Sequence, residues 1–238
     1  MPTDFWILVV TAFLTSALSG VLGMGGGIAL FTVMAQYFPP LLLIPVHGAV
    51  QLFSHFSRAA FVYREIHWSV VGLFLLGAAA GALLGTQFIV EIPEKPFRIG
   101  IGLFILLATF LPRPKSAPTF PAKWFWVGSG ATFLSLFVGP TGPLVAPFYL
   151  RENLSKQALV ATKAACQVGI HACKLIGYFA VGFVIQPHIP LLLGMCTATL
   201  AGSWAGTALL GKLPERLFRQ LFKVLIVLLA LRLMLKAL

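Results

Sequence analysis

Acidic side chains are almost missing from this chain: of its 238 residues only six are Asp or Glu. They are Asp4, Glu65, Glu91, Glu94, Glu152 and Glu215, and each falls at the end of an apolar run or between runs. No carboxylate is therefore placed inside such a run to relay protons or hold a cation, which argues against a cation transporter built on acids. Charge of either sign is scarce, at 10% of residues. A soluble domain covers its surface with about a quarter charged residues, so this surface faces lipid. Cysteine is scarce as well. Cys166, Cys173 and Cys196 all sit in apolar stretches and read as small buried hydrophobes, not as a disulfide framework or a metal site. No metal and no cofactor is expected.

What is present is apolar: 59% of residues are hydrophobic. A helical span takes roughly 20 apolar residues, and runs of that kind lie at 41–63, 67–90, 97–112, 158–181, 189–210 and 219–235. Two further segments, 5–38 and 124–150, are interrupted by glycine and proline. The start of the chain carries Asp4 in place of a basic flank, so it reads as structure and not as a cleavable leader. The net charge of +11 would suit a nucleic-acid partner. Yet the basic residues lie mostly in short loops between spans, where they orient a membrane protein. Lipid is the expected surroundings, and no nucleic acid is expected.

The sequence also repeats itself. In one register Leu18-Ser19 falls on Leu134-Ser135, Gly23 on Gly139, Gly26 on Gly142, Gln51 on Gln167 and His55 on His171, while the cations Arg58 and Lys174 coincide. After a short insertion in the second copy, Gly81 matches Gly202 and Gly85-Thr86 matches Gly206-Thr207. Pro93, Glu94, Phe97 and Arg98 then match Pro214, Glu215, Phe218 and Arg219. Polar residues, glycine and proline rarely align by chance in greasy helices, so the chain reads as a duplication of residues 1–112 and 124–238 around a linker at 113–123. Each copy opens on a broken helix, at Gly23-Met24-Gly25-Gly26-Gly27 and at Gly139-Pro140-Thr141-Gly142-Pro143. Irregular backbone at membrane depth is tolerated only where protein or a water-filled cavity surrounds it. Small residues every fourth position, Gly77, Gly81, Gly85 and Ala198, Gly202, Gly206, form stripes for close helix packing.

Orientation chooses between parallel and inverted copies. If each broken segment is re-entrant, Arg64, Arg113, Lys115, Lys123, Arg151, Lys156, Lys212, Arg216, Arg219 and Lys223 face the cytoplasm. Only Lys95, Arg98, Arg232 and Lys236 then lie outside. Parallel copies would put most of the basic loops outside, against the positive-inside rule. The expectation is an all-α polytopic protein of the cell inner (plasma) membrane, with two inverted homologous repeats. Each is a glycine-broken, re-entrant helix pair plus three spanning helices, and the linker is cytoplasmic.

The chemistry sits on one face of each copy. His47, Gln51, His55 and Arg58 in the first, and Lys163, Gln167, His171 and Lys174 in the second, share a spacing that lines a single helical face. An ionisable group in a span costs at least about 2.5–3.5 kcal/mol and marks a functional path by default. Arg58 and Lys174 also fit a plain role, with their ammonium or guanidinium reaching for a nearby interface. A half-helix that starts after Gly27 or Pro143 aims free N–H groups and a positive dipole end into the membrane. With Gln51, His55, Gln167 and His171 beside such ends, the expected ligand is a small oxyanion held at mid-membrane between the two broken helices. Gly25, Gly26, Gly27, Thr141 and Gly142 would give backbone or hydroxyl donors, and His47, Arg58, Lys163 and Lys174 supporting charge.

Ser19-Gly20-Val21-Leu22-Gly23-Met24-Gly25-Gly26-Gly27, its degenerate second copy and the duplicated apolar plan resemble the sulfite/organosulfonate exporter family, TauE/SafE, also called TSUP. The resemblance covers essentially the whole chain. It implies a transporter of a sulfur oxyanion or organosulfonate such as sulfite or sulfoacetate. Pro140 and Pro143 depart from the family's glycine run. An anion channel and a membrane subunit without transport activity are the alternatives, and a second copy of the chain is a candidate partner. An enzyme is not expected: Gly128-Ser129-Gly130 lacks an accompanying serine-protease motif, and His-Glu-x-x-His is absent.

Overall fold

In a computed structural model, residues 3–22, 25–89, 93–110, 120–149, 154–208 and 215–237 are described. Among these residues the only regular structure is helix. The two interrupted segments each form a helix pair: α1 (Thr3–Leu22) with α2 (Gly26–Met34), and α6 (Lys123–Val138) with α7 (Gly142–Tyr149). At about 1.5 Å per residue, the 20 residues of α1 reach the thickness of a hydrocarbon core, roughly 30 Å. The nine residues of α2 and eight of α7 reach less than half of that. Gly25 (φ 100°) and Gly139 (φ 80°) take left-handed backbone at the two breaks, which glycine enters without a Cβ penalty.

The six uninterrupted runs are helices near their expected positions: α3 (Pro40–Phe61), α4 (Trp68–Thr86), α5 (Glu94–Phe110), α8 (Lys156–Ala180), α9 (Ile189–Ala208) and α10 (Glu215–Leu235). Among the described residues three segments, Trp68–Thr86, Gln157–Ala180 and Gln186–Gly206, are long and apolar enough to cross a membrane. α3 has the length, but its Pro45 and the polar series from His47 to Arg58 dilute its apolar character. The Ser155 side chain caps α8 by accepting the Ala158 N–H at 3.1 Å. α6 begins at Lys123, so helix takes over the last residue of the expected linker. Residues 113–119 of that linker lie outside the described residues.

Packing groups the helices differently from their order in the chain. One compact unit comprises Met1–Val50, Glu91–Leu111 and Ile185–Leu238, and the other Gln51–Val90 and Pro112–Val184. In the first unit α1 packs along α9, and α10 lies against α5 and α2. The seam of α1 and α9 is made by small residues. A Cβ on Gly202 would collide with the carbonyl oxygen of Phe13, and one on Gly206 with that of Ala17. Ser16 fastens the same seam, its hydroxyl donating to Thr199 O at 2.7 Å and pairing with Ser203 Oγ at 2.8 Å.

In the second unit α4 packs along α6 by the same device, and both helices touch α8. A Cβ on Gly77 would meet the carbonyl oxygen of Phe125, one on Gly81 that of Ser129, and one on Gly128 that of Phe74. Lipid tails are as apolar as leucine, so close backbone approach and dispersion replace the hydrophobic drive between such helices. Behind this seam Val71, Phe74, Trp124, Tyr149, Cys166 and Ile170 form a buried cluster. It fixes where α7 and α8 stand.

Candidate functional site

The break between α6 and α7 begins with two missing donors. In an unbroken helix residue 140 would donate its N–H to the Leu136 carbonyl, and residue 143 to that of Gly139. Both are proline, which has no N–H to give. Two side chains one turn apart on α8 take their place. Tyr178 donates its hydroxyl to Leu136 O at 2.8 Å, and Lys174 donates from Nζ to Gly139 O at 2.9 Å. Lys174 is entirely buried. It therefore does not reach for the membrane surface, and its amino group rests on the negative end of the α6 dipole. The motif's departure from glycine and the lysine three residues after His171 are thus two halves of one arrangement.

Just beyond the break, α7 starts at Gly142, with Thr141 before it accepting the N–H groups of Leu144 at 3.0 Å and Val145 at 3.3 Å. The first N–H groups of a helix lack partners within it and carry its positive end. Gln167 reaches this spot from α8: a Cβ on Gly142 would stand 3.7 Å from its Nε2. Gln167 is 3% exposed and Thr141 1%. Among the described residues neither Gln167 Nε2 nor Thr141 Oγ1 has a hydrogen-bond partner. Leaving a buried polar group unsatisfied costs about 1–3 kcal/mol, so the Gln167 amide stands at this helix start at a cost to the fold. One turn along α8, the His171 ring lies parallel to that of His55 from α3, with centroids 5.6 Å apart and an interplanar angle of 9°.

The structure thus gathers Thr141, Gly142 and Gln167 at one point and pairs His55 with His171. Gln51 and Arg58 are on α3 and Lys163 is on α8, all three partly buried. Two contributors escape sequence reasoning. Thr132 is wholly buried on α6 with its hydroxyl unpartnered among the described residues, and Tyr178 holds the break. A threonine inside an apolar helix usually bonds its own preceding turn, so nothing in the sequence separates Thr132 from its neighbours.

In the first unit the break is closed from within. The Gly26 N–H donates to Ser19 Oγ at 3.1 Å, and a Cβ on Gly26 would collide with the Thr15 carbonyl oxygen. His47 is entirely buried, and its Nε2 lies 3.0 Å from Gly27 O. A carbonyl only accepts, so this nitrogen carries the proton. The ring meets Phe31 edge-on at 5.0 Å. His47 therefore holds the backbone at the start of α2, and Gly25, Gly26 and Gly27 stand beside it in that unit.

No curated protein and no solved structure matches the chain. One family model does, the sulfite exporter TauE/SafE, over residues 8–233. That range takes in both broken helices, the two polar faces and both glycine seams. With the match running through nearly the whole chain, the protein belongs to the sulfite exporter TauE/SafE family.

Proposed function

We propose that this membrane transporter carries a sulfur oxyanion or organosulfonate of the sulfite or sulfoacetate type, held at the start of α7 by Gln167, Thr141 and the helix N–H groups. The observation that carries the reading is the buried, unpartnered Gln167 amide beside Gly142. Such a donor suits an oxyanion, which accepts hydrogen bonds and gives none. His55 and His171 add N–H groups in either protonation state. The start of α2, at Gly25-Gly26-Gly27, is read as the counterpart in the first copy. Uptake by proteoliposomes, offered sulfite, thiosulfate, sulfoacetate and sulfate in turn, tests this. Transport of none of them would sink it, and single-channel conductance in the same membranes would favour a channel instead.

Support for the duplication comes from the seams. Gly202 faces the carbonyl of Phe13 while its match Gly81 faces that of Ser129, and Phe13 and Ser129 are themselves matched in the repeat register. We read the copies as inverted, in a multi-pass chain of the inner membrane. Labelling from outside intact cells should then reach Asp4→Cys and Leu238→Cys but not Ser116→Cys. Labelling at Ser116 with protected ends would reverse the orientation, and one protected end would favour parallel copies.

The stacked histidines are where we expect a pH dependence to arise. Histidine is the side chain whose ordinary titration falls near neutral pH. An anion binds the protonated ring better than the neutral one, so binding and proton uptake reinforce each other. Affinity for a sulfonate, which does not itself titrate in this range, should rise as pH falls from about 8 to 6. The slope should vanish in the double variant His55→Gln/His171→Gln. A flat profile in the unmodified protein would leave the neutral donors alone to hold the anion.

A further inference from the structure

Lys174 does more than the break requires. Its ammonium has three donors, and one of them, to Gly139 O, is engaged among the described residues. The helices packed against α8, which are α3, α4, α6 and α7, contain no Asp or Glu, and the short turn Tyr63–Glu65 meets α8 near Thr162, about three turns before Lys174. The cations and titratable groups on those helices and on α8 are His47, His55, Arg58, Lys123, Tyr149, Lys156, Lys163, Cys166, His171, Cys173 and Tyr178, so nothing there offers a compensating negative charge. A fully buried lysine without a carboxylate partner keeps its charge only at a cost, and an anion beside it removes that cost. It lies on the same α8 face as His171 and Gln167, three and seven residues earlier.

At discontinuous membrane helices, the carbonyls at a half-helix C-terminus are where a coupling cation binds, while the N-terminus of the next half-helix takes the anion. Here the C-terminal carbonyl of the break is occupied by a lysine. We propose that Lys174 is a tethered cation, standing where a free monovalent cation such as sodium would sit, so that the anion is carried without sodium. The inference rests on the anion reading above and names the coupling that the site lacks and the residue that replaces it. Removing the side chain should expose the Gly139 carbonyl to a free cation.

Two variants test this in purified protein. Lys174→Ala should melt several degrees higher in sodium chloride than in choline chloride of equal ionic strength, whereas the unmodified protein should melt alike in both. This arm involves no sulfur anion, so it reads even if every transport assay is silent. Lys174→Gln keeps a donor for Gly139 but loses the charge. It should melt close to the unmodified protein while sulfoacetate uptake at limiting substrate falls more than about tenfold. A lysine that only caps α6 predicts otherwise: Lys174→Ala equally weakened in both salts, and Lys174→Gln transporting normally. Sodium-dependent uptake by the unmodified protein would also overturn the proposal. If Lys174→Ala does not fold in either salt, normal uptake by Lys174→Gln overturns it and a loss of uptake upholds it. Absence of uptake by the unmodified protein, with sodium rescue of Lys174→Ala intact, would fault the sulfur-anion reading and not the tethered cation.

Discussion

Gln167→Leu should lower uptake of the transported sulfur anion at limiting substrate by more than about tenfold while leaving the protein as stable as before or more so. Each hydrogen bond to a charged ligand is worth roughly 1.5–3 kcal/mol, and Gln167 Nε2 has no competing partner among the described residues. The same fact gives the stability half of the prediction. Leucine removes a buried amide that the protein itself leaves unsatisfied, so the folded state loses a penalty and no bond. Activity and melting temperature thus move in different directions, which damage to packing would not produce. Gln51→Leu, changing the matched position on α3, should weaken uptake as well. Normal transport by both variants would place the anion elsewhere.

The second large effect concerns the seams. Gly81→Leu and Gly202→Leu should each prevent recovery of a monodisperse protein in detergent, or lower its melting temperature severely. At both positions the new Cβ would meet a backbone carbonyl, of Ser129 or of Phe13, and backbone moves only if the whole helix moves. Overpacking that side chains can absorb costs about 1–3 kcal/mol; separating two helices along a seam forfeits every contact of that seam. Gly72→Leu, Gly100→Leu and Gly130→Leu are the controls, since a Cβ at those glycines meets nothing within 4 Å. Equal tolerance of all five changes would show that the close approach is dispensable. Failure at Gly81 and Gly202 alone would support the reading of the two seams as copies of each other.

How far this was legible in the sequence differs from residue to residue. The helix limits and both breaks follow from local chemistry. Gly25 and Gly139 take positive φ, Pro140 and Pro143 lack donors, and these are properties of single residues and their neighbours. The polar faces follow from spacing alone, because 3.6 residues per turn place Gln167, His171 and Lys174 on one side of α8 whatever surrounds it.

The partners do not follow. A stripe such as Gly77, Gly81, Gly85 announces that some backbone comes close, and in lipid, where apolar faces gain little by meeting, pattern does not say which. Only the packing pairs α4 with α6 and α1 with α9. Lys174 shows the same limit. Sequence allowed its long stem to carry the charge toward the membrane surface, and tertiary structure turned it inward, because Pro143 leaves the Gly139 carbonyl without a donor and α8 passes beside it. His55 and His171 are matched in the chain but become a stack only through the approach of α3 to α8. What the sequence determined is where the chain is helical, where it breaks and which faces are polar, since those depend on residues a turn apart. Which groups were satisfied and which were left for a ligand depended on contacts between segments far apart in the chain, and these the tertiary structure alone decided.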